Sequence, residues 1–335
     1  MGILGLSVFI YFSIPNARSY AELPPFLQIS LKSYASTNLR YVICVSGEDH
    51  LRESLKKEFA LSFANVEIFS DTEILSDHSR LLLGTLWKLW NEKQIRANYA
   101  PSEYHCFARW LALNDLYNKN IIGNTELVLA HDWDDCFLGD PDILASSISR
   151  SLSQSHLTIS DSKICAYCSE SDVHPLFSVI QPHLMVLNRN QSSHFSNTLT
   201  SLLIDHKKFM YTRLFADMNL WAYCISLSMR DAVPSLFQQL YHIMEGEYYV
   251  CDNIRSFKNL ASSSINKDSI FIPPQINYLE NGATHMDYVK LLFGDKVYIE
   301  TADRGLIPAF NLQFQGVEGK YLASCLQSTI HKYIG

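Results

Sequence analysis

Three carboxylates fall within four residues in the stretch Ala130-His131-Asp132-Trp133-Asp134-Asp135-Cys136. Carboxylates packed this closely repel one another unless a cation or a proton lies between them. In extended geometry Asp132 and Asp134, two apart, point to the same side. A divalent-metal site of Asp-x-Asp type holding a substrate phosphate follows from that reading. An acidic turn capping a strand is the commoner fate of such a triplet, so the surrounding elements must decide.

Glu126 to Ala130 is a short apolar run, the signature of a strand buried on both faces, and Gly139 and Pro141 end the regular structure beyond it. Open α/β sheets place their ligand sites at the carboxyl ends of such strands. Upstream, Ser7 to Ser13 reads as a first core strand ended by Pro15-Asn16. The apolar start is too short to span a bilayer, and no Lys or Arg precedes it as in a leader peptide. A helix follows from Leu23 to Tyr34, then a strand from Leu39 to Gly47, a helix from Asp49 to Phe63 and a strand from Val66 to Asp71. That alternation is the βαβ pattern of a mainly parallel sheet.

Leu81 to Ile95 predicts a helix packed on two sides, and Pro101-Ser102 opens another with Tyr104, Phe107 and Leu111 on one stripe. His105 and Arg109, four apart, share a face at the edge of that stripe. An arginine there needs an anionic partner or a route to water. Downstream, helices are expected at 143–152, 194–206, 214–228 and 235–244, with strands at 163–167 and 183–187. Lys258 to Asp268 reads as a loop, and Asn311 to Lys320 as a short strand entering a glycine-flexed turn. Without repeat, linker or low-complexity tract, residues 1–335 are expected to form a single compact domain.

With 47% hydrophobic and 18% charged residues the chain is of ordinary globular type. A net charge of -7 without a Lys/Arg cluster argues against nucleic acid as a partner. The eight cysteines show no disulfide spacing, and Cys165-x-x-Cys168 has no second pair at zinc-finger distance. Free thiols in a reducing, cytoplasmic compartment explain them, while the apolar start leaves contact with the inner face of a membrane open.

Several chemistries lack their signatures. There is no G-x-x-x-x-G-K-[ST], no G-x-G-x-x-G, no H-E-x-x-H and no G-x-S-x-G, and Phe137 stands where an EF-hand loop needs glycine. A haloacid dehalogenase-like phosphatase also carries an Asp-x-Asp after a buried strand, its first Asp being the nucleophile. Here that would be Asp132, but Cys136 occupies the motif's fifth position and the motif lies far into the chain.

Tyr11-Phe12-Ser13-Ile14-Pro15, Pro25-Phe26-Leu27-Gln28-Ile29, Asn38-Leu39-Arg40-Tyr41-Val42-Ile43, the Asp132–Asp140 stretch and Leu312-Gln313-Phe314-Gln315-Gly316 with Lys320 together resemble bacterial glycosyltransferase-like proteins of the GT-A fold. The resemblance implies an α/β fold with a mixed, mainly parallel central sheet flanked by helices. Residues 1–140 would be a nucleotide-binding half ending in Asp-x-Asp, and 141–335 an acceptor-side half with a closing C-terminal segment. The implied activity is metal-dependent transfer of a hexose or N-acetylhexosamine from a nucleotide sugar, with UDP the expected nucleotide, to a glycan acceptor in polysaccharide biosynthesis. A hard Mn²⁺ or Mg²⁺ on carboxylate oxygens would neutralise the leaving diphosphate.

The resemblance also implies roles. Asp134 would be the direct metal ligand, Asp132 would bind ribose or a metal-bound water, and Asp135 would be a reserve ligand. Tyr11 and Ser13 would lie against the base, and Asp71 would hydrogen-bond base or ribose. Arg109 would reach the diphosphate or brace the acidic motif, with Lys320 near the same group. Many such enzymes complete the metal shell with a C-terminal His; here Gln313 stands in its place, with His285 as a substitute from another loop. Asp217, among large apolar residues, is read either as a helix N-cap or as the base for the acceptor hydroxyl. A non-catalytic nucleotide- or glycan-binding protein on a degenerate transferase fold is the further alternative that Gln313 raises.

Overall fold

The computed structural model describes residues 5–47, 49–60, 62–95, 100–146, 164–166, 184–204, 216–217, 219–221, 223–224, 237–239, 249–251, 269–272, 289–301, 305–314 and 316–334. Its parallel half is built on the strand that the apolar start forms, β1 (Leu6–Ser13). Val8, Ile10 and Phe12 of this strand enter one hydrophobic core, Phe9 and Tyr11 the other. That period-2 split is why the run reads as continuously apolar: the sheet is covered on both faces.

On one side of β1 lie β2 (Arg40–Ser46) and then β3 (Val66–Ser70), and on the other β4 (Leu127–His131), all parallel. Beyond β4 come β7 (Leu184–Leu187), β6 (Ile164–Ala166) and β8 (Phe237–Gln239), giving seven strands in the order β3-β2-β1-β4-β7-β6-β8. β7 runs antiparallel to both β4 and β6, whereas β8 is parallel to β6. The mixed, mainly parallel sheet is therefore present. The chain order reverses between β1 and β4, which makes the crevice at their carboxyl ends a topological switch point.

Helices α1 (Pro25–Ala35) and α2 (Asp49–Ala60) contribute to the first core, and α3 (Asp71–Ile74), α4 (Asp77–Asn91), α5 (Ala100–Asn118) and α6 (Arg189–Ile204) to the second. α1 begins with Pro25 at its first position, where the missing N–H costs nothing. α5 is buried almost all round because it packs on β1, α4 and α6 together, not along one stripe. α4 starts four residues earlier than the apolar period suggests, since the Ser76 side chain caps it by accepting from the Ser79 backbone N–H. Its expected two-sided packing is not found: Leu82, Leu83, Leu86 and Trp90 are buried, but Leu81 is 68% exposed and Trp87 39%.

A second sheet was not anticipated. β10 (Ser269–Ile272), β11 (Val289–Phe293), β12 (Val297–Thr301) and β13 (Gly305–Gln313) form an antiparallel series, and β13 then pairs with β5 (Asp135–Phe137) and with β9 (Tyr249–Cys251). The expected turn after Gln313 is instead the start of helix α7 (Gly316–Ile330), whose Ala323, Leu326 and Ile330 are buried at helical spacing. The helix expected at 235–244 is corrected too, because Phe237–Gln239 pair in parallel with β6. The loop expected at 258–268, like His285 and Cys168, lies outside the described residues. Among the described residues Cys44, Cys106, Cys136, Cys224 and Cys325 are free thiols, and no helix is long and apolar enough to cross a membrane.

Candidate active site

The acidic motif is the hand-over between the two sheets. β4 ends at His131, Asp132 to Asp134 form a turn closed by the Asp135 N–H to the Asp132 carbonyl (3.2 Å), and β5 begins at Asp135. The turn corrects the extended geometry that puts Asp132 and Asp134 on one side. Each of the three carboxylates meets different partners.

His131 anchors the turn from below. It is fully buried and stacked on Tyr34 at 3.7 Å between ring centroids. Burial, aided by the Arg109 charge, keeps its imidazole pKa well below the ordinary range, so the ring is neutral. Nδ1–H then donates to the Asp132 carbonyl (2.8 Å), and Nε2 accepts from the Tyr41 hydroxyl (3.1 Å).

Asp132, with its side chain 31% exposed, pairs with the Arg109 guanidinium. Arg109 is buried on α5, lies over the Trp110 ring at 4.2 Å and also reaches Asp217 at 3.3 Å. Asp217 is buried as well and accepts from Trp110 Nε1 at 2.8 Å. Its carboxylate thus faces α5 side chains, so the capping of its own helix is not what this group does here. One guanidinium ties the motif to the segment carrying Asp217.

Asp134 turns the opposite way. The Phe314 backbone N–H donates to its carbonyl at 2.8 Å, which brings the end of β13 against the turn. Gln313, also buried, hydrogen-bonds the Asp134 side chain. Burial raises the Asp134 pKa to about 6, and the Lys320 charge and the Gln313 bond hold it from rising further. Asp134 Oδ1 and Gln313 Oε1 are both sealed from solvent without a hydrogen-bond donor. Two buried acceptor oxygens of different residues left without a donor suit a hard cation, which carries no lone pair to repel them. Lys320 Nζ stands above the Phe26 and Trp133 rings at 4.9 and 5.2 Å, on the same flank.

Asp135 is held separately. Asn311 Nδ2 donates to both of its oxygens, at 2.9 and 3.1 Å, and the Tyr34 hydroxyl lies beside it. Burial pushes its pKa well above the carboxylate range, with the Asn311 bonds opposing and the Asp134 charge adding.

Tyr11, Ser13 and Asp71, expected to lie toward a base, form a second group at the same sheet edge. Tyr11 and Ser13 end β1, and Asp71 follows β3 as the first residue of α3. Asp71 acts electrostatically on Tyr11, Tyr104 and His105. Sequence reasoning overlooked Glu103, Asn311 and His131. Glu103, Cys106 and Asp217 each bring a ligand atom within 4.8 Å of the others. Burial and then the Asp217 charge push the Glu103 carboxyl up to about 8. The i, i+3 step from Glu103 to Cys106, three before Arg109, was a readable signal on a helix already recognised.

No family model matches the chain, and no curated protein does. Solved structures similar to it include glycosyltransferases. Mouse xyloside xylosyltransferase 1 in its apo form is 14% identical with a TM-score of 0.41, over 70% of this chain and 84% of that one. PaToxG glycosyltransferase is 12% identical with a TM-score of 0.40, over 68% and 70%. Core-mannan synthase A from Aspergillus fumigatus in its Mn/GDP form is 9% identical with a TM-score of 0.39, over 67% and 70%.

Proposed function

We propose that the chain is a metal-dependent glycosyltransferase that moves a sugar from a nucleotide sugar, a UDP-sugar, to a glycan acceptor. The observation that carries this reading is the pair of donorless buried oxygens, Asp134 Oδ1 and Gln313 Oε1, at the switch point of a mainly parallel sheet. The sequence resemblance to GT-A enzymes supports it independently.

In this reading Asp134 and Gln313 hold Mn²⁺ or Mg²⁺, with Asp132 on the opposite flank toward ribose or a metal-bound water. When bound, the ion supplies Lewis-acid neutralisation of the leaving diphosphate. Lys320, whose charge already acts on Asp134, adds a second positive charge to that group. Arg109 orients Asp132 through their ion pair, and through Asp217 couples donor and acceptor sides. Asp217 would receive the acceptor hydroxyl's proton or position the group that does. Asp135, committed to Asn311, braces β5 against β13 and stays in reserve as a ligand. Tyr11, Ser13 and Asp71 face the nucleoside, and His285 is a further ligand from outside the described residues.

The phosphatase reading needs Asp132 as an unencumbered nucleophile, and its pairing with buried Arg109 argues against that. Thermal unfolding with UDP, Mn²⁺ and both together tests the proposal. Stabilisation by UDP plus Mn²⁺ that disappears in Asp134→Ala is expected. No nucleotide response in any combination would refute it.

A further inference from the structure

Glu103 and Cys106 lie three apart on α5, so their side chains share one face of the helix. Asp217 meets that face from a distant part of the chain, and one ligand atom from each of the three lies within 4.8 Å of the others. The Asp217 carboxylate is used unevenly. Trp110 Nε1 and Arg109 Nη2 both donate to Oδ2, at 2.8 and 3.3 Å, and among the described residues no donor reaches Oδ1.

Glu103 is 7% exposed and, among the described residues, makes neither a hydrogen bond nor an ion pair. A buried carboxyl without a donor, set against a second carboxylate, is costly unless a proton or a cation lies between them. In the metal-free chain a proton does this, since burial and the Asp217 charge raise the Glu103 pKa to about 8. A cation would do it with three ligands instead of one bond.

The thiol decides which cation. Mg²⁺ and Mn²⁺ take oxygen ligands, whereas one thiolate with two carboxylate oxygens suits zinc. Tetrahedral zinc with bonds of about 2.0–2.3 Å holds its ligands roughly 3.3–3.8 Å apart, so side-chain rotation closes the present spacing. Three anions around a divalent ion leave one negative charge in excess, and the Arg109 guanidinium beside Asp217 offsets it. Cys106 is half-buried, which gives the ion a way in and leaves the fourth position to water.

The geometry points to a second metal site formed by Glu103, Cys106 and Asp217, separate from Asp134 and Gln313, that takes a thiophilic divalent cation of the zinc class. Binding releases the thiol proton and the Glu103 proton to solvent. The ion would occupy the Asp217 oxygen otherwise open to an acceptor hydroxyl, so the two uses of that carboxylate exclude each other. The site stands on its own residues and does not depend on the nucleotide-sugar reading.

Titration of the metal-free full chain with Co²⁺ alone, followed by displacement with Zn²⁺, tests this. The wild type is expected to develop a thiolate-to-cobalt charge-transfer band at one equivalent, which Zn²⁺ abolishes. Cys106→Ser should lose the band, Glu103→Gln should weaken Zn²⁺ at least tenfold, and Asp134→Ala should keep both band and affinity. Metal-free melting temperatures report whether each variant folds, and should Cys106→Ser not fold, Glu103→Gln carries the test. A wild type without the band, a band that persists in Cys106→Ser, unchanged Zn²⁺ affinity in Glu103→Gln, or a band lost in folded Asp134→Ala each overturns the inference. None of these results bears on UDP binding, which tests the transferase reading separately.

Discussion

Glu103 offers a test in which sign and size both follow from the structure. It is 7% exposed on α5, beside Asp217, while the Arg109 guanidinium is already shared between Asp132 and Asp217. Burial first, and the Asp217 charge second, raise its pKa from an ordinary 4.5 to about 8. Between those values the native chain holds a proton that the unfolded chain has released. The stability associated with Glu103 is therefore complete below about pH 4.5 and is lost as pH rises toward 8. At about 1.36 kcal/mol per pH unit, the roughly 3.5 units come to about 5 kcal/mol. Glutamine has nearly the same shape and cannot ionise. Glu103→Gln should thus match the wild type at pH 4.5 and exceed its stability at pH 8.5, by about 3–5 kcal/mol. Paired thermal or urea unfolding curves at several pH values measure the gap, with other titrations cancelling between the two proteins. A gap that stays constant with pH, or a glutamine variant less stable at pH 8.5, would mean that Glu103 carries no proton in the fold.

Two further predictions concern the seam between β5 and β13. A Cβ at Gly139 would lie 2.7 Å from Cδ2 of the buried Phe310, so Gly139→Ala should cost about 1–3 kcal/mol by overpacking, read as a lower unfolding midpoint. A wild-type midpoint would show that β5 and β13 do not meet this closely. Asn311→Ala removes the amide that donates to both oxygens of Asp135, leaving the Tyr34 hydroxyl beside it, and should destabilise by about 1–3 kcal/mol. Asp135→Asn in that background should give little further loss, and fully additive losses would refute the pairing.

The parallel half of the sheet was legible because its strands are buried on both faces. Leu127–His131 and Arg40–Ser46 need unbroken apolar runs, and runs bounded by turn residues survive in one dimension. The acids at the end of β4 were legible for the same reason: a core strand that stops in carboxylates must release them at the sheet edge. Ser235 to Met244 misled because its apolar residues fall at helical spacing, whereas the partner strand β6 decides the outcome at Phe237–Gln239. The start of α4 was missed because its first turn, Asp77-His78-Ser79-Arg80, is polar and is set by the Ser76 cap.

By itself the sequence determined that this is an α/β protein with a mainly parallel sheet, and that three acids stand where β4 runs out. Local periodicity and composition carry that much, since each strand and helix buries its own apolar positions. Only the tertiary structure decided what each acid does. Asp132 went to Arg109 on α5, Asp134 to Gln313 beside Lys320, and Asp135 to Asn311, all partners far off in the chain. Direction within a turn, and the pairing of β5 with β13 across 176 residues at Asp135 and Asn311, arise from long-range burial and hydrogen bonding, which no local spacing encodes.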